Sequence, residues 1–333
     1  MPDESVRVLM LNEEDGKINV RLSEVAESDL PEGDVTVAVD YSTLNYKDGM
    51  ILQGKGRLVK NYPHVPGVDF SGTVEKSLSD KFKIGDRVVL NGWRVGEIRW
   101  GGFASKARVK SDWLVKLPNN ISNREAMGIG TAGYTAMLAV MALENHGVGP
   151  NSGDEVIVSG AGGGVGSISV LLLAGLGYNV VASTGRNELH DYLKELGARV
   201  IIDRSELEAS REGPISSGRW AGAIDNVGGV VLSNILASIK PGGSCAAVGN
   251  TGSNDLETSI IPFLLRGINL LGIDSVMCPM EKRIRAWALL SDILDFNKLA
   301  KVSQLVPLSE IYSFSNNILK GEIRGRVIVD IGG

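Results

Sequence analysis

The sequence predicts an α/β protein in which a doubly wound parallel sheet is joined to a separate β-rich domain. Three observations carry this expectation. Across residues 123–296, strand-like and helical segments alternate, as parallel strands with crossover helices do. Residues 1–122 instead hold short strand-like runs, punctuated by turn residues and one short helix. At 333 residues the chain is too long for one compact unit and long enough for two cores.

Val6–Asn12, Ile18–Val25 and Val35–Ser42 show apolar or alternating strand patterns, with Glu14-Asp15-Gly16 and Glu32-Gly33 between them. Leu44–Gln53 reads as a short helix. Strand patterns resume at Val68–Lys76, Arg87–Leu90, Phe103–Val109 and Leu114–Leu117, broken by Gly67, Gly85-Asp86 and Gly101-Gly102. Helical spacing then fills Asn123–Asn145, with Ser122 or Asn123 placed to cap it and His146-Gly147 to end it. Strands follow at Glu155–Ser159, Asn179–Ser183, Val200–Ile202, Ala221–Asp225 and Ser244–Val248. Helices at Val165–Leu176, Glu188–Leu196 and Val230–Ile239 separate several of them. Ile268–Ser275 reads as a strand and Glu281–Leu294 as an amphipathic helix. The tail reads strand, helix, strand over Ser303–Val306, Leu308–Gly321 and Gly325–Ile331.

Composition narrows the function. A net charge of −5 argues against coating nucleic acid. The two cysteines, Cys245 and Cys278, form no zinc or redox spacing and point to a reducing compartment. The acidic start runs straight into a strand, with no signal, transit or membrane-spanning run, so a cytoplasmic protein without membrane or nucleic-acid partners is expected.

The most informative stretch is Glu155-Val-Ile-Val-Ser-Gly160-Ala-Gly-Gly-Gly-Val-Gly166. A β-branched strand runs into a glycine turn and then into an apolar helix. A Cβ in such a turn would push away a pyrophosphate that must sit on the amides of the following helix. Gly160, Gly162, Gly163, Gly164, Val165 and Gly166 are therefore candidate dinucleotide contacts. An acidic residue ending the second strand would hold the ribose hydroxyls of NAD. This chain has Ser183-Thr-Gly-Arg186 there, and Arg204 lies just beyond the third strand. Hydroxyls and guanidinium groups attract a 2′-phosphate, so NADPH is the expected cofactor.

Several segments together resemble the zinc-independent branch of the medium-chain dehydrogenase/reductase superfamily. They are Leu44-Asn-Tyr-Lys-Asp48, Pro66-Gly-Val-Asp-Phe-Ser-Gly72, Gly85-Asp-Arg-Val88, Gly130-Thr-Ala-Gly-Tyr-Thr-Ala136 and the glycine turn. Within that branch, Ser183–Arg186, Trp220–Asp225, Pro262–Arg266 and Gly272–Met277 are similar to the acryloyl-CoA reductase group. The resemblance spans essentially the whole chain. It implies a GroES-like catalytic domain over 1–122, completed by 297–333, and a Rossmann cofactor domain over 123–296. It also implies a homodimer in which the strand around Ile268–Ser275 pairs across a two-fold axis. Carried over by position, it assigns cofactor contacts to Tyr46, the glycine turn, Thr184, Gly185, Arg186, Arg204, Asn250, Leu264 and Ser275. Zinc-dependent relatives carry a cysteine near Asn45-Tyr46 and Gly-His-Glu where this chain has Gly67-Val68-Asp69, so no metal is expected.

Without a Lewis acid, hydride addition needs a carbon that is already electrophilic, such as the β-carbon of an enoyl thioester. The enolate that results must be stabilised and then protonated. Tyr46 is the candidate proton donor, because a phenol ordinarily keeps its proton at neutral pH; packing against the nicotinamide is the competing reading. Asn45 is the candidate for orienting the carbonyl. Lys47 and Asp48 fit a surface ion pair as well as a place in the site, the surface reading suiting Lys47 better, and Asp69 reads as structural. Arg94, Arg99, Arg266, Lys282, Arg283, Arg285 and Arg324 are candidate cations for CoA phosphates, though Arg283 and Arg285 also read as a helix's polar face. Trp93 and Trp100 either wall a ligand pocket or pack in the core. The expected activity is NADPH-dependent reduction of acryloyl-CoA to propionyl-CoA. The alternatives are a quinone or alkenal reductase, and a non-catalytic NADPH-binding protein.

Overall fold

The computed structural model describes residues 4–150 and 153–333, so Met1, Pro2 and Asp3 of the acidic start lie outside the described residues. The chain divides into two units. The first is Met1–Thr131, Ser275–Ser291 and Leu299–Gly333; the second is Ala132–Asp274 and Asp292–Lys298.

The first unit opens with β1 (Ser5–Glu14) and β2 (Lys17–Ala26), an antiparallel hairpin. Its two-residue turn, Asp15-Gly16, has φ of 51° and 74°, the left-handed pair that matches strand twist. β3 (Val35–Leu44) leads to α1 (Tyr46–Leu52), and β4 (Asp69–Ser77) and β5 (Arg87–Asn91) continue the sheet. β6 (Lys106–Val109) is shorter than the strand expected over Phe103–Val109, because Phe103 and Ala104 pair with β1 instead. β7 (Leu114–Lys116) closes this stretch.

α2 (Asn123–Asn145) has the expected bounds but is broken at Gly130, where φ is 53° and ψ is −162°. It is long and apolar enough to cross a membrane, yet 89% of that apolar window is buried in the fold.

The second unit alternates strand and helix: β8 (Glu155–Val158), α3 (Gly164–Gly175), β9 (Asn179–Thr184), α4 (His190–Leu196), β10 (Val200–Asp203), α5 (Arg204–Glu208), β11 (Trp220–Asp225), α6 (Gly229–Ser238), β12 (Ile239–Ala247), α7 (Ile261–Arg266) and β13 (Asn269–Gly272). The strands lie in the order β10-β9-β8-β11-β12-β13, and every pairing is parallel. The order reverses between β8 and β11, the switch point where doubly wound sheets bind ligands. Val156, Ile157, Val158, Val180, Val181 and Ala182 are all buried, as parallel strands covered on both faces require. Cys245 is buried in β12 among core side chains, a packing role.

The chain then returns through α8 (Met280–Ile293), α9 (Phe296–Val302), β14 (Ser303–Pro307), α10 (Ile311–Leu319) and β15 (Arg326–Asp330). β15 pairs antiparallel with β3, and β14 parallel with β15, giving the order β14-β15-β3-β4-β5-β7 with β6 also on β3. α10 packs on α1: a Cβ added to Gly49 would come 2.7 Å from Ile318.

Two segments sit differently from the sequence expectation, which placed all of 123–296 in the cofactor domain. Residues 123–131 and 275–291 belong to the first unit, and 297–298 stay with the second. The reason is polar anchoring. Thr131 donates its N–H to Asp69 at 2.7 Å, and the buried Arg283 donates to the carbonyl of Asn91 at 2.6 Å.

Candidate active site and cofactor cradle

In the first unit, the junction of β3 with α1 carries a buried polar cluster. Asn45 has an extended backbone and immediately precedes α1. Asp48, on the first turn, accepts the N–H of Asn45 at 2.9 Å and that of Val68 at 3.0 Å. Adjacent helix positions face different directions, so Asp48 turns inward and is 0% exposed, not half of a surface pair. Lys47 turns outward and meets the buried Glu97 at 2.8 Å. Asp69 accepts the Thr43 hydroxyl at 2.6 Å and the Thr131 amide at 2.7 Å. Arg326 opens β15, is 2% exposed and donates to Asn45 Oδ1 at 3.2 Å.

The side chain of Asn45 is fully committed within this cluster. Its Nδ2 lies 2.9 Å from Thr43 Oγ1, 3.2 Å from Asp48 Oδ2 and 3.3 Å from Asp69 Oδ2. Arginine only donates, so the amide oxygen must face Arg326 and the NH2 must face the carboxylates. Asn45 therefore has no polar atom left to orient a substrate carbonyl. Burial, reinforced by the like charge of Asp69, pushes the Asp48 carboxyl up to about 7. Tyr46, the first residue of α1, is 42% exposed and leaves its ring accessible.

A strained turn follows β5. Trp93 and Arg94 both take left-handed backbone, with φ of 55° and 58°, a conformation non-glycine residues seldom adopt. The Trp93 amide bonds the Val276 carbonyl at 2.9 Å, and Arg283 lies over its ring at 4.8 Å. Trp93 and Trp100 pack against hydrophobic clusters, which favours the core reading for both. Most of the candidate CoA cations are engaged. Arg283 is buried, Arg266 donates to the carbonyls of Ala237 and Ile239, Arg99 lies over Trp113, and Arg94 approaches Glu97 at 3.6 Å. Lys282 and Arg285 are exposed on α8.

In the second unit, β8 ends in the glycine turn. Gly160 has φ of 57°, and a Cβ on Gly166 would come 2.3 Å from the Gly160 carbonyl oxygen. That contact presses the start of α3 against the turn. No side chain caps α3, so its first-turn amides remain available to an anion. Asp225, at the end of β11, was not expected as a site residue. Buried, with its carboxyl pushed upward by desolvation, it accepts the Ser159 hydroxyl at 2.6 Å and the Gly228 amide at 2.8 Å. Ser159 Oγ in turn accepts the Asn226 N–H at 2.9 Å. Asp225 thus ties the ends of the two switch-point strands together. The signal was present in Trp220–Asp225, where an acid closes an apolar strand.

The end of β9 brings three predicted residues together. Thr184 Oγ1 accepts the Arg186 amide at 3.2 Å, and the Arg186 guanidinium reaches back to the Gly162 carbonyl at 3.4 Å. A Cβ on Gly185 would lie 3.4 Å from Arg204, which is exposed and pairs with Glu208 at 3.1 Å. Asn250 lies beside the Gly228 turn. Leu264 lies on α7 and is 69% exposed. Ser275 belongs to the first unit.

Residues 31–119 match the family described as Alcohol dehydrogenase GroES-like domain, and residues 164–292 that described as Zinc-binding dehydrogenase. The chain is 52% identical to acrylyl-CoA reductase AcuI of Ruegeria pomeroyi, over 96% of this chain and 97% of that one. This chain belongs to the medium-chain dehydrogenase/reductase superfamily. Its membership extends to solved structures. The crystal structure of Escherichia coli K-12 YHDH with bound NADPH is 48% identical, with a TM-score of 0.94 over 98% of this chain and 100% of that one. Putative quinone oxidoreductase YhfP of Bacillus subtilis is 43% identical over 94% of this chain and 95% of that one. A crystal structure of B. subtilis yhfP with NAD bound superposes with a TM-score of 0.94 at 42% identity, covering 98% of this chain and 99% of that one.

A zinc centre requires four ligands drawn from thiolate, imidazole and carboxylate. Among the described residues, the one group of three candidate ligands is Glu4, Glu27 and Glu75. Lys106 already fills it, 3.2 Å from Glu27 and 2.8 Å from Glu75, and also bonds Glu4. Asp48 and Asp69 face the Arg326 guanidinium. These residues do not fit a zinc centre. The open, uncapped glycine turn and the two arginines beside Thr184-Gly185 do fit a phosphorylated dinucleotide.

Proposed function

We propose that this protein is an NADPH-dependent reductase of 2-enoyl-CoA thioesters, converting acryloyl-CoA to propionyl-CoA. One observation carries the reading: Arg186 and Arg204 flank Thr184-Gly185 in a chain 52% identical, over nearly all its length, to an acrylyl-CoA reductase. NADPH, when bound, would supply the hydride that the β-carbon accepts. The chain's own residues do the rest. The α3 amides and the arginines hold phosphate groups. Asp225 and Ser159 fix the turn that approaches them. Tyr46, itself 42% exposed, would hydrogen-bond the enolate oxygen through its O–H and then pass that proton to the α-carbon, the resulting phenolate regaining a proton from water.

A homodimer is part of this proposal. β13 is an edge of its sheet, and Ile260, Leu264 and Leu265 project exposed apolar side chains before and along α7. Such an edge beside apolar surface is typical of a self-pairing face. Cytoplasmic operation agrees with two free, buried thiols.

A quinone or alkenal acceptor is the second reading, favoured by the likeness to putative quinone oxidoreductase YhfP. NADPH oxidation measured side by side with acryloyl-CoA, an alkenal and a benzoquinone separates the two. Preference for the thioester, with a KM that rises with ionic strength, supports the proposal. Turnover of the quinone alone overturns it. Tight NADPH binding without any turnover supports a binding protein instead.

A further inference from the structure

The Asn45 side chain is held between opposite charges. On one side, the two oxygens of Asp48 receive the amides of Asn45 and Val68, and Asp48 Oδ2 also lies 3.2 Å from Asn45 Nδ2. On the other, Arg326 Nη1 reaches Asn45 Oδ1 at 3.2 Å. The remaining donors of Arg326, Nε and Nη2, are buried and have no hydrogen-bond partner among the described residues. Hydrogen-bond saturation therefore does not account for a guanidinium at this depth. Its charge does, since Asp48 and Asp69 both face it.

Two carboxylates against one guanidinium leave a negative excess beside the helix whose first residue is Tyr46. We propose that Asp48 and Arg326 are positioning residues, which clamp Asn45 between them and so set where Tyr46 presents its hydroxyl. This rests on the reading of Tyr46 as the donor to the enolate. An ionised Asp48 accepts all of its bonds. A protonated one must turn one oxygen into a donor, and the three N–H groups around it offer no acceptor. The clamp then loosens on the Asp48 side. Asp69 from β4 and Arg326 from β15 are the charged groups facing Asp48, while Lys47 of the same helix is engaged by Glu97. A carboxyl titrating near 7 places both clamp states within the neutral range.

The test uses the full chain with 4-fluorophenylalanine at position 46, a ring that reports its surroundings and does not itself titrate. Its 19F signal is followed from about pH 5.5 to about pH 8.5, with Asp48 present and with Asp48→Asn. Expected is a transition near pH 7 that Asp48→Asn abolishes. A flat signal with Asp48 present, or the same transition in both proteins, overturns the clamp. In parallel, unlabelled Asp48→Asn and Arg326→Lys should lower kcat about tenfold while the KM values move less than about twofold. A change confined to KM, or none, also overturns it. If Asp48→Asn does not fold, the labelled protein that retains Asp48 still decides by its own pH response. If the unaltered enzyme reduces no enoyl-CoA, the functional reading fails, whereas the 19F response judges the clamp separately.

Discussion

Arg326 donates through Nη1 to the side-chain oxygen of Asn45 at 3.2 Å, across 281 residues of sequence. This bond ties the start of the last strand to the residue that opens α1. The approach depends on Gly130: a Cβ there would fall 2.3 Å from Arg326 Nη2 and 3.2 Å from Asp69 Oδ2, and φ is already 53°. Gly130→Ala is therefore expected to displace the guanidinium and strain the backbone together. A loss of roughly 3 kcal/mol in unfolding free energy, read by urea denaturation, is the expected size. A Tm within a degree or two of the parent would show that the approach is not needed.

Arg186→Ala should weaken NADPH far more than NADH. A charge-assisted hydrogen bond to a phosphate is worth about 1.5–3 kcal/mol, so the KM for NADPH should rise about 10- to 100-fold and that for NADH by less than about twofold. Equal effects on the two cofactors would remove the 2′-phosphate argument. The comparison has force because a relative 42% identical is solved with NAD bound.

The parallel sheet and its glycine turn were legible because β-branched runs, glycines and apolar helices alternate at short spacing. What escaped was set by contacts distant in sequence. Gly130 looks like a tolerated glycine within helical spacing, and only the guanidinium from residue 326 explains the break. Asp48 stays undecided beside Lys47 in the sequence, because a short helix with no amphipathic stripe does not show which of two neighbouring positions turns inward. Arg283 shares the buried stripe of α8 with Ala286, Trp287 and Leu290, so its charge on an apolar face was a readable warning. Asp225 had a weaker signal, one acid ending an apolar strand.

Tyr46→Phe keeps the ring and removes the hydroxyl. General acid contributions of this kind amount to about 10²–10⁴-fold, so kcat for acryloyl-CoA should fall at least about 100-fold with NADPH affinity retained. An unchanged kcat would leave Tyr46 as a wall of the pocket and assign the proton to another group.

Stability should depend on pH through Asp48, with a definite sign. Its carboxyl is raised from 3.8 to about 7 by burial and by Asp69, so the folded protein holds a proton that the unfolded chain releases. Its contribution is complete below about pH 4 and is lost as pH rises through about 7, a span worth on the order of 4 kcal/mol. Asp225, also raised, acts in the same direction. Glu27, Asp34 and Asp86 are lowered by their partners, and their contributions are lost instead as pH falls. A single pH curve mixes these opposing trends. The difference between the parent and Asp48→Asn isolates Asp48, because the other groups are common to both. Urea denaturation at about pH 5 and about pH 8 should show the parent losing about 2.5 kcal/mol relative to the variant. Parallel changes in the two proteins would mean that Asp48 stays ionised throughout, held so by Arg326.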